Sequence, residues 1–120
     1  MKPTDSEMEI LQILWTQGDS SVRRVHELLN KKDVGYTSTL KLMQIMFQKG
    51  MVSRDTSSKT HIYKPLLSKE QTQHQFLDKM IDTVYNGSTA RLVMQALGNQ
   101  RASKEEIDLI KAYLDNLENA

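Results

Sequence analysis

The chain has 120 residues, 38% apolar and 26% charged, with a net charge of +1. So short a chain cannot cover much apolar surface by itself, which favours self-association, and its length suits one small domain with an appendage. The absence of cysteine excludes a disulfide framework, a thiolate metal site and a cysteine nucleophile. No run approaches the ~20 apolar residues of a membrane span, and Met1 to Asp5 carry no apolar stretch, so a cytoplasmic protein is expected.

Thr4-Asp5-Ser6-Glu7 has the form of a capping box and opens the first predicted helix. Met8, Leu11, Leu14 and Trp15, widened by Ile10 and Ile13, form its apolar stripe, and Gly18-Asp19 ends it. Ser20 or Ser21 can cap a second helix whose buried face is Val22, Val25, Leu28 and Leu29. The polar stretch from Asn30 to Gly35 is a turn. Thr37-Ser38 opens a third helix with Leu40, Met43, Met46 and Phe47 inward, ending at Lys49-Gly50. The period then changes to two: residues 51–55 and 61–65 alternate around the polar stretch 56–60, which predicts a β-hairpin closed by Pro65. The fold class expected is mainly α: a winged helix-turn-helix of three helices plus a β-hairpin wing over residues 1–67, then a three-helix dimerisation tail over 68–120.

The tail carries Ser68-Lys69-Glu70-Gln71 as a second capping box. Phe76, Leu77, Met80, Ile81, Val84 and Tyr85 then lie on one side of a helix. Asn86-Gly87 breaks it. A short helix follows with Leu92, Val93, Ala96 and Leu97, and after a third capping box at Ser103 comes a last helix with Ile107, Ile110, Tyr113, Leu114 and Leu117. These wide apolar faces are expected to meet a second copy, although folding back on the winged domain would also cover them.

Charge is divided along the chain. Residues 21–67 hold nine Lys or Arg against three acids, whereas residues 68–120 hold six against eight. A basic part followed by an acidic part points to a polyanion partner for the first. In a helix-turn-helix the N-terminal residues of the second helix of the pair reach base edges in the major groove. Here those are Tyr36, Thr37, Ser38 and Thr39, with Lys41 one turn on; the hydroxyls can exchange hydrogen bonds with bases, or Thr37 and Ser38 can serve only as caps. Arg54, Lys59 and His61 in the wing, and Arg23 and Arg24 at the start of the second helix, are candidate phosphate contacts. His26, His61 and His74 fall in no ligand spacing, and no catalytic motif is present. Glu105-Glu106 sits in a first helical turn, where acids favour the dipole. No enzyme, metal or cofactor is expected. A winged helix used for protein interaction instead of operator binding is the alternative reading.

The chain resembles the BlaI/MecI family of penicillinase and methicillin-resistance repressors over about residues 4–117. The resemblance is carried by Glu7-Met8-Glu9-Ile10-Leu11-Gln12-Ile13-Leu14-Trp15, Val22-Arg23-Arg24-Val25, Tyr36-Thr37-Ser38-Thr39-Leu40, Lys49-Gly50-Met51-Val52, His61-Ile62-Tyr63-Lys64-Pro65 and Tyr85-Asn86-Gly87-Ser88. It implies a homodimer on a palindromic double-stranded DNA operator, with a tail that is cut on induction. A membrane sensor metallopeptidase acts indirectly in many members, and the repressor itself does not bind the membrane. Best-known members are cut at an Asn-Phe bond; the matching position here is Gln95-Ala96. Copper-responsive members carry C-terminal cysteines, which this chain lacks. Lys41 and Ile45 stand where many members have Thr and Arg, so a different operator sequence is expected.

Overall fold

The computed structural model describes residues 2–120. In chain order it contains α1 (Asp5–Gln17), β1 (Ser20–Ser21), α2 (Val22–Leu29), α3 (Tyr36–Gln48), β2 (Val52–Asp55), β3 (Ile62–Pro65), α4 (Lys69–Val84), α5 (Thr89–Gly98) and α6 (Lys104–Glu118). Two compact units divide the chain, Met1–Phe76 and Leu77–Ala120.

The first unit is a winged helix. Its core takes Ile10, Leu11 and Leu14 from α1, Val22 and Val25 from α2, and Met43 and Met46 from α3. Met51, Val52 and Tyr63 come from the sheet side, and all ten are buried. Burying each large apolar side chain contributes about 1.5–3 kcal/mol relative to exposure, so this cluster holds the three helices against the hairpin. Met8, which the helical stripe places inward, is only half-buried.

The hairpin has a third strand that alternation does not announce. Ser20 and Ser21 pair with Tyr63 and Ile62, so the antiparallel order is β1-β3-β2, with β3 central. Two residues are too few for a period to register. Pro65 sits at the end of the central strand, opposite Val52, where its missing N–H breaks no ladder.

Helix ends follow local chemistry. Thr4 and Glu7 make the complete reciprocal capping box, and Ser103 and Glu106 make another. At Ser68 one half is formed: its hydroxyl accepts the Gln71 N–H at 3.3 Å. Ser21, not Ser20, caps α2; the Ser20 hydroxyl turns back to donate to the Gly18 carbonyl at 2.8 Å. The N-cap of α3 is Gly35, with no side-chain bond, so α3 begins one residue before Thr37 and neither Thr37 nor Ser38 is its cap.

Glu7 also does more than cap. Its side chain is 1% exposed, and its Oε2 accepts from the Lys49 ammonium at 2.9 Å, just past the end of α3. Burial pushes the Glu7 carboxyl up, but the Thr4 backbone N–H and the Lys49 ammonium outweigh it and hold the group below its usual range. A carboxyl depressed on folding stabilises above its unfolded pKa and loses that contribution as pH falls through the folded value. Lys49→Met should therefore cost about 1–3 kcal/mol at neutral pH, because a buried acceptor loses a charged donor. Thermal melts at pH 7 and pH 4 check this: the gap between wild type and Lys49→Met should narrow in acid, and a gap independent of pH would refute the pairing as its cause.

The first turns of α4 belong to the winged unit. The Trp15 indole N–H donates to the Leu67 carbonyl at 3.0 Å, Thr72 is buried, and the Lys2 ammonium lies 5.3 Å from the Phe76 ring centre. These contacts carry the division to Phe76/Leu77, beyond the join expected at 67/68.

In the second unit, α4 ends at Asn86-Gly87, both at positive φ, with the Gly87 N–H donating to the Ile81 carbonyl at 2.8 Å. Ser88 caps α5 by accepting the Arg91 N–H. No residue from Leu77 to Ala120 is buried.

Candidate nucleic-acid interface

A cleft of about 690 Å³ opens between the start of α2, the outer face of α3 and the wing. Arg23, Arg24, Tyr36, Arg54, Lys59 and His61 all line it. These six were expected from sequence to face a polyanion on separate elements, and the fold brings them to one wall. Four basic side chains there, Arg23, Arg24, Arg54 and Lys59, oppose one carboxylate, Glu27.

Two of the arginines are held on aromatic rings. The Arg23 guanidinium carbon lies 4.7 Å from the Tyr36 ring centre, and that of Arg54 lies 4.1 Å from the Phe47 ring centre. A planar guanidinium stacked by its face keeps its N–H edge available for two-pronged donation. Stacking also removes rotamer freedom before a ligand arrives. Phe47, read from its spacing as a core residue, is instead 37% exposed and serves as the platform for Arg54.

The wing turn is braced by its own side chains. The Asp55 carboxylate accepts the Ser57 N–H at 2.8 Å, and the Ser57 hydroxyl and N–H hold its carboxyl below the usual range. The Ser58 hydroxyl donates to the Thr60 carbonyl at 2.9 Å.

On α3 the expected contact residues separate by face. Thr37, Ser38 and Lys41 are exposed, and Tyr36 is partly so. Thr39 is not available: it is 1% exposed, and its hydroxyl lies 2.9 Å from His26 Nδ1. Its role is corrected from base contact to internal fastening of α2 to α3. Positions 39, 43 and 46 form the buried stripe at helical spacing, so the periodicity already placed Thr39 inward despite its polar hydroxyl. The His26 ring also meets Tyr36 edge-on, 5.9 Å between ring centres. The opposite face of α3 is the polar series Thr37, Lys41, Gln44 and Gln48, all exposed. Gln44 lies on the cleft wall and was not among the sequence candidates.

Most of the positive charge in this region is uncompensated. Among the described residues two ion pairs form, Lys31–Glu9 at 2.7 Å and Lys49–Glu7 at 2.9 Å. Neither involves Arg23, Arg24, Lys41, Arg54 or Lys59. No group of described side chains is arranged to hold a metal ion, and no described helix is long and apolar enough to cross a membrane.

In the tail, the sequence-expected interface residues divide into two sets. Phe76, Ile81, Tyr85, Leu92, Leu97 and Ile110 are half-buried. Leu77, Met80, Val84, Val93, Tyr113, Leu114 and Leu117 are exposed, Val84 by 66% and Tyr113 by 61%. Gln95 and Ala96 are both exposed on α5.

The profile of the penicillinase repressor family matches residues 3–116. The chain belongs to the penicillinase repressor family. It is thus a transcriptional repressor and not an enzyme. Among its relatives, the penicillinase repressor of Bacillus licheniformis is 24% identical, aligned over 97% of this chain and 91% of its own length. The methicillin resistance regulatory protein MecI of Staphylococcus aureus strain N315 is 22% identical, over 93% of this chain and 92% of its own. The transcriptional regulator BlaI of Mycobacterium tuberculosis strain H37Rv is 24% identical, over 95% of this chain and 83% of its own. Membership of this family agrees with the winged-helix order of the first unit.

Proposed function

We propose that this repressor binds a palindromic DNA operator as a homodimer, the winged unit contacting DNA and the tail joining the two copies. The observation that carries this reading is the convergence of Arg23, Arg24, Arg54 and Lys59 on one cleft beside the exposed face of α3. In that arrangement α3 enters the major groove, with Thr37, Ser38 and Lys41 toward base edges. Arg23 and Arg24 on one side, and Arg54, Lys59 and His61 in the wing on the other, hold the phosphates, with Tyr36 keeping Arg23 in place. The exposed apolar side chains of the tail supply the dimer surface, because a soluble chain rarely leaves such faces bare. Two copies related by a two-fold axis require two inverted half-sites.

Relatives bear the names of penicillinase and methicillin-resistance regulators, and we infer a regulon of related kind. Derepression then requires loss of the tail dimer. Proteolysis at or near Gln95-Ala96, set off indirectly by a membrane sensor metallopeptidase, is the route this family reading offers.

The test is selection of genomic fragments by the purified chain, followed by footprinting. An inverted repeat protected by two copies is expected. Lys59→Ala should weaken the selected site and a scrambled duplex by the same factor, since phosphate contacts carry no sequence information. No enriched fragment would overturn operator binding, and a changed base preference in Lys59→Ala would overturn the assignment of the wing to phosphate.

A further inference from the structure

Thr37, Lys41 and Gln44 share the exposed face of α3 at spacings of four and three. At 1.5 Å rise per residue they lie roughly 6 and 4.5 Å apart along the axis, about the span of three base-pair steps of 3.4 Å. The three side chains differ in what they offer. Thr37 presents a hydroxyl and Lys41 a point charge, whereas Gln44 presents a carboxamide with a donor and an acceptor side by side. The Gln44 side chain makes no hydrogen bond to any described residue, and Gln44 lies on the cleft wall beside the cationic groups. Those groups already supply the attraction for phosphate, to which a neutral amide adds little. A carboxamide matches the adjacent N6 donor and N7 acceptor of adenine in the major groove, a pattern that no other base presents there.

We propose that Gln44 is a specificity-determining residue that reads an adenine at one fixed position in each operator half-site. The inference rests on the reading of the chain as an operator-binding dimer. It gives α3 a reading surface that extends past its first turn, along the exposed face opposite Thr39.

The test is selection from a randomised duplex library with the full chain, in parallel with Gln44→Ala and Gln44→Glu, each checked for an unchanged melting curve. The wild type should enrich adenine at one position per half-site. Gln44→Ala should lose that preference alone, by about 5- to 150-fold against the wrong base. Its salt dependence should be unchanged, because no charge is removed. Gln44→Glu keeps the shape but only accepts, so the preference at that position should move to cytosine. If wild type and Gln44→Ala select the same site with the same discrimination, or if Gln44→Ala weakens all duplexes alike, the proposal is overturned. If the wild type itself enriches no sequence, the operator reading fails first and takes this one with it.

Discussion

Cutting the chain after Gln95 should give a monomer that binds a two-half-site operator about 10²–10⁴-fold more weakly than the full chain. The size of the effect follows from how binding energy is combined. In a linked pair, the second winged unit finds its half-site at an effective concentration set by the tail, without any new contact. The truncation removes Tyr113, Leu114 and Leu117, which are 61%, 51% and 57% exposed in the single chain. It also cuts α5 within its apolar stretch. The winged unit should be untouched, since its ten-residue core lies wholly before Phe76. Sedimentation velocity on both proteins, with titration on a whole and a half operator, checks the result. Half-operator affinity should be the same for both. A truncated protein that still sediments as a dimer would sink the assignment of the tail.

Raising salt from 50 to 200 mM should lower operator affinity of the full chain by about 10³–10⁵-fold if 6–10 phosphates are contacted. The structure gives a reason to expect that many. Arg23, Arg24, Arg54 and Lys59 surround the cleft of one chain, with none of them tied to a carboxylate among the described residues. A two-fold pair doubles the set. Each cation that neutralises a phosphate releases condensed counterions, and log affinity falls linearly with log salt at about −0.9 per contact. Lys59→Ala should make the slope of the dimer shallower by about 2, one for each copy. A flat salt profile for the wild type would mean that the cleft serves a partner other than a polyanion.

The winged unit was legible because its signals are local and repeated. Ile10, Leu11 and Leu14, then Val22 and Val25, then Met43 and Met46 recur at helical spacing, and all are buried as that spacing requires. The change to a period of two at Met51 placed the hairpin within a residue of its strands. What escaped the sequence was pairing across distance. Ser20-Ser21 is a strand only because Tyr63 and Ile62 lie beside it. Glu7 reads as a surface cap until Lys49, 42 positions away, is folded against it. In the candidate interface, side-chain chemistry misled where geometry would have helped. A hydroxyl at Thr39 looked suited to bases, yet its place in the stripe with Met43 and Met46 turned it inward to His26. Gln44 was missed for the converse reason, since it bears no charge and only its face distinguishes it.

The helix at the centre of this interface is fastened at both ends. His26 holds Thr39 in its first turns, and Glu7 holds Lys49 at the residue that follows its last. A helix so pinned has little freedom to rock in a groove that does not fit it. In the proposed complex, adjustment of groove width or bend would then fall mainly to the nucleic acid, at an energy that depends on the flexibility of its base steps. Operator strength would thus also depend on base pairs between the half-sites that no side chain touches, with pliant pyrimidine–purine steps there binding better than stiff adenine tracts.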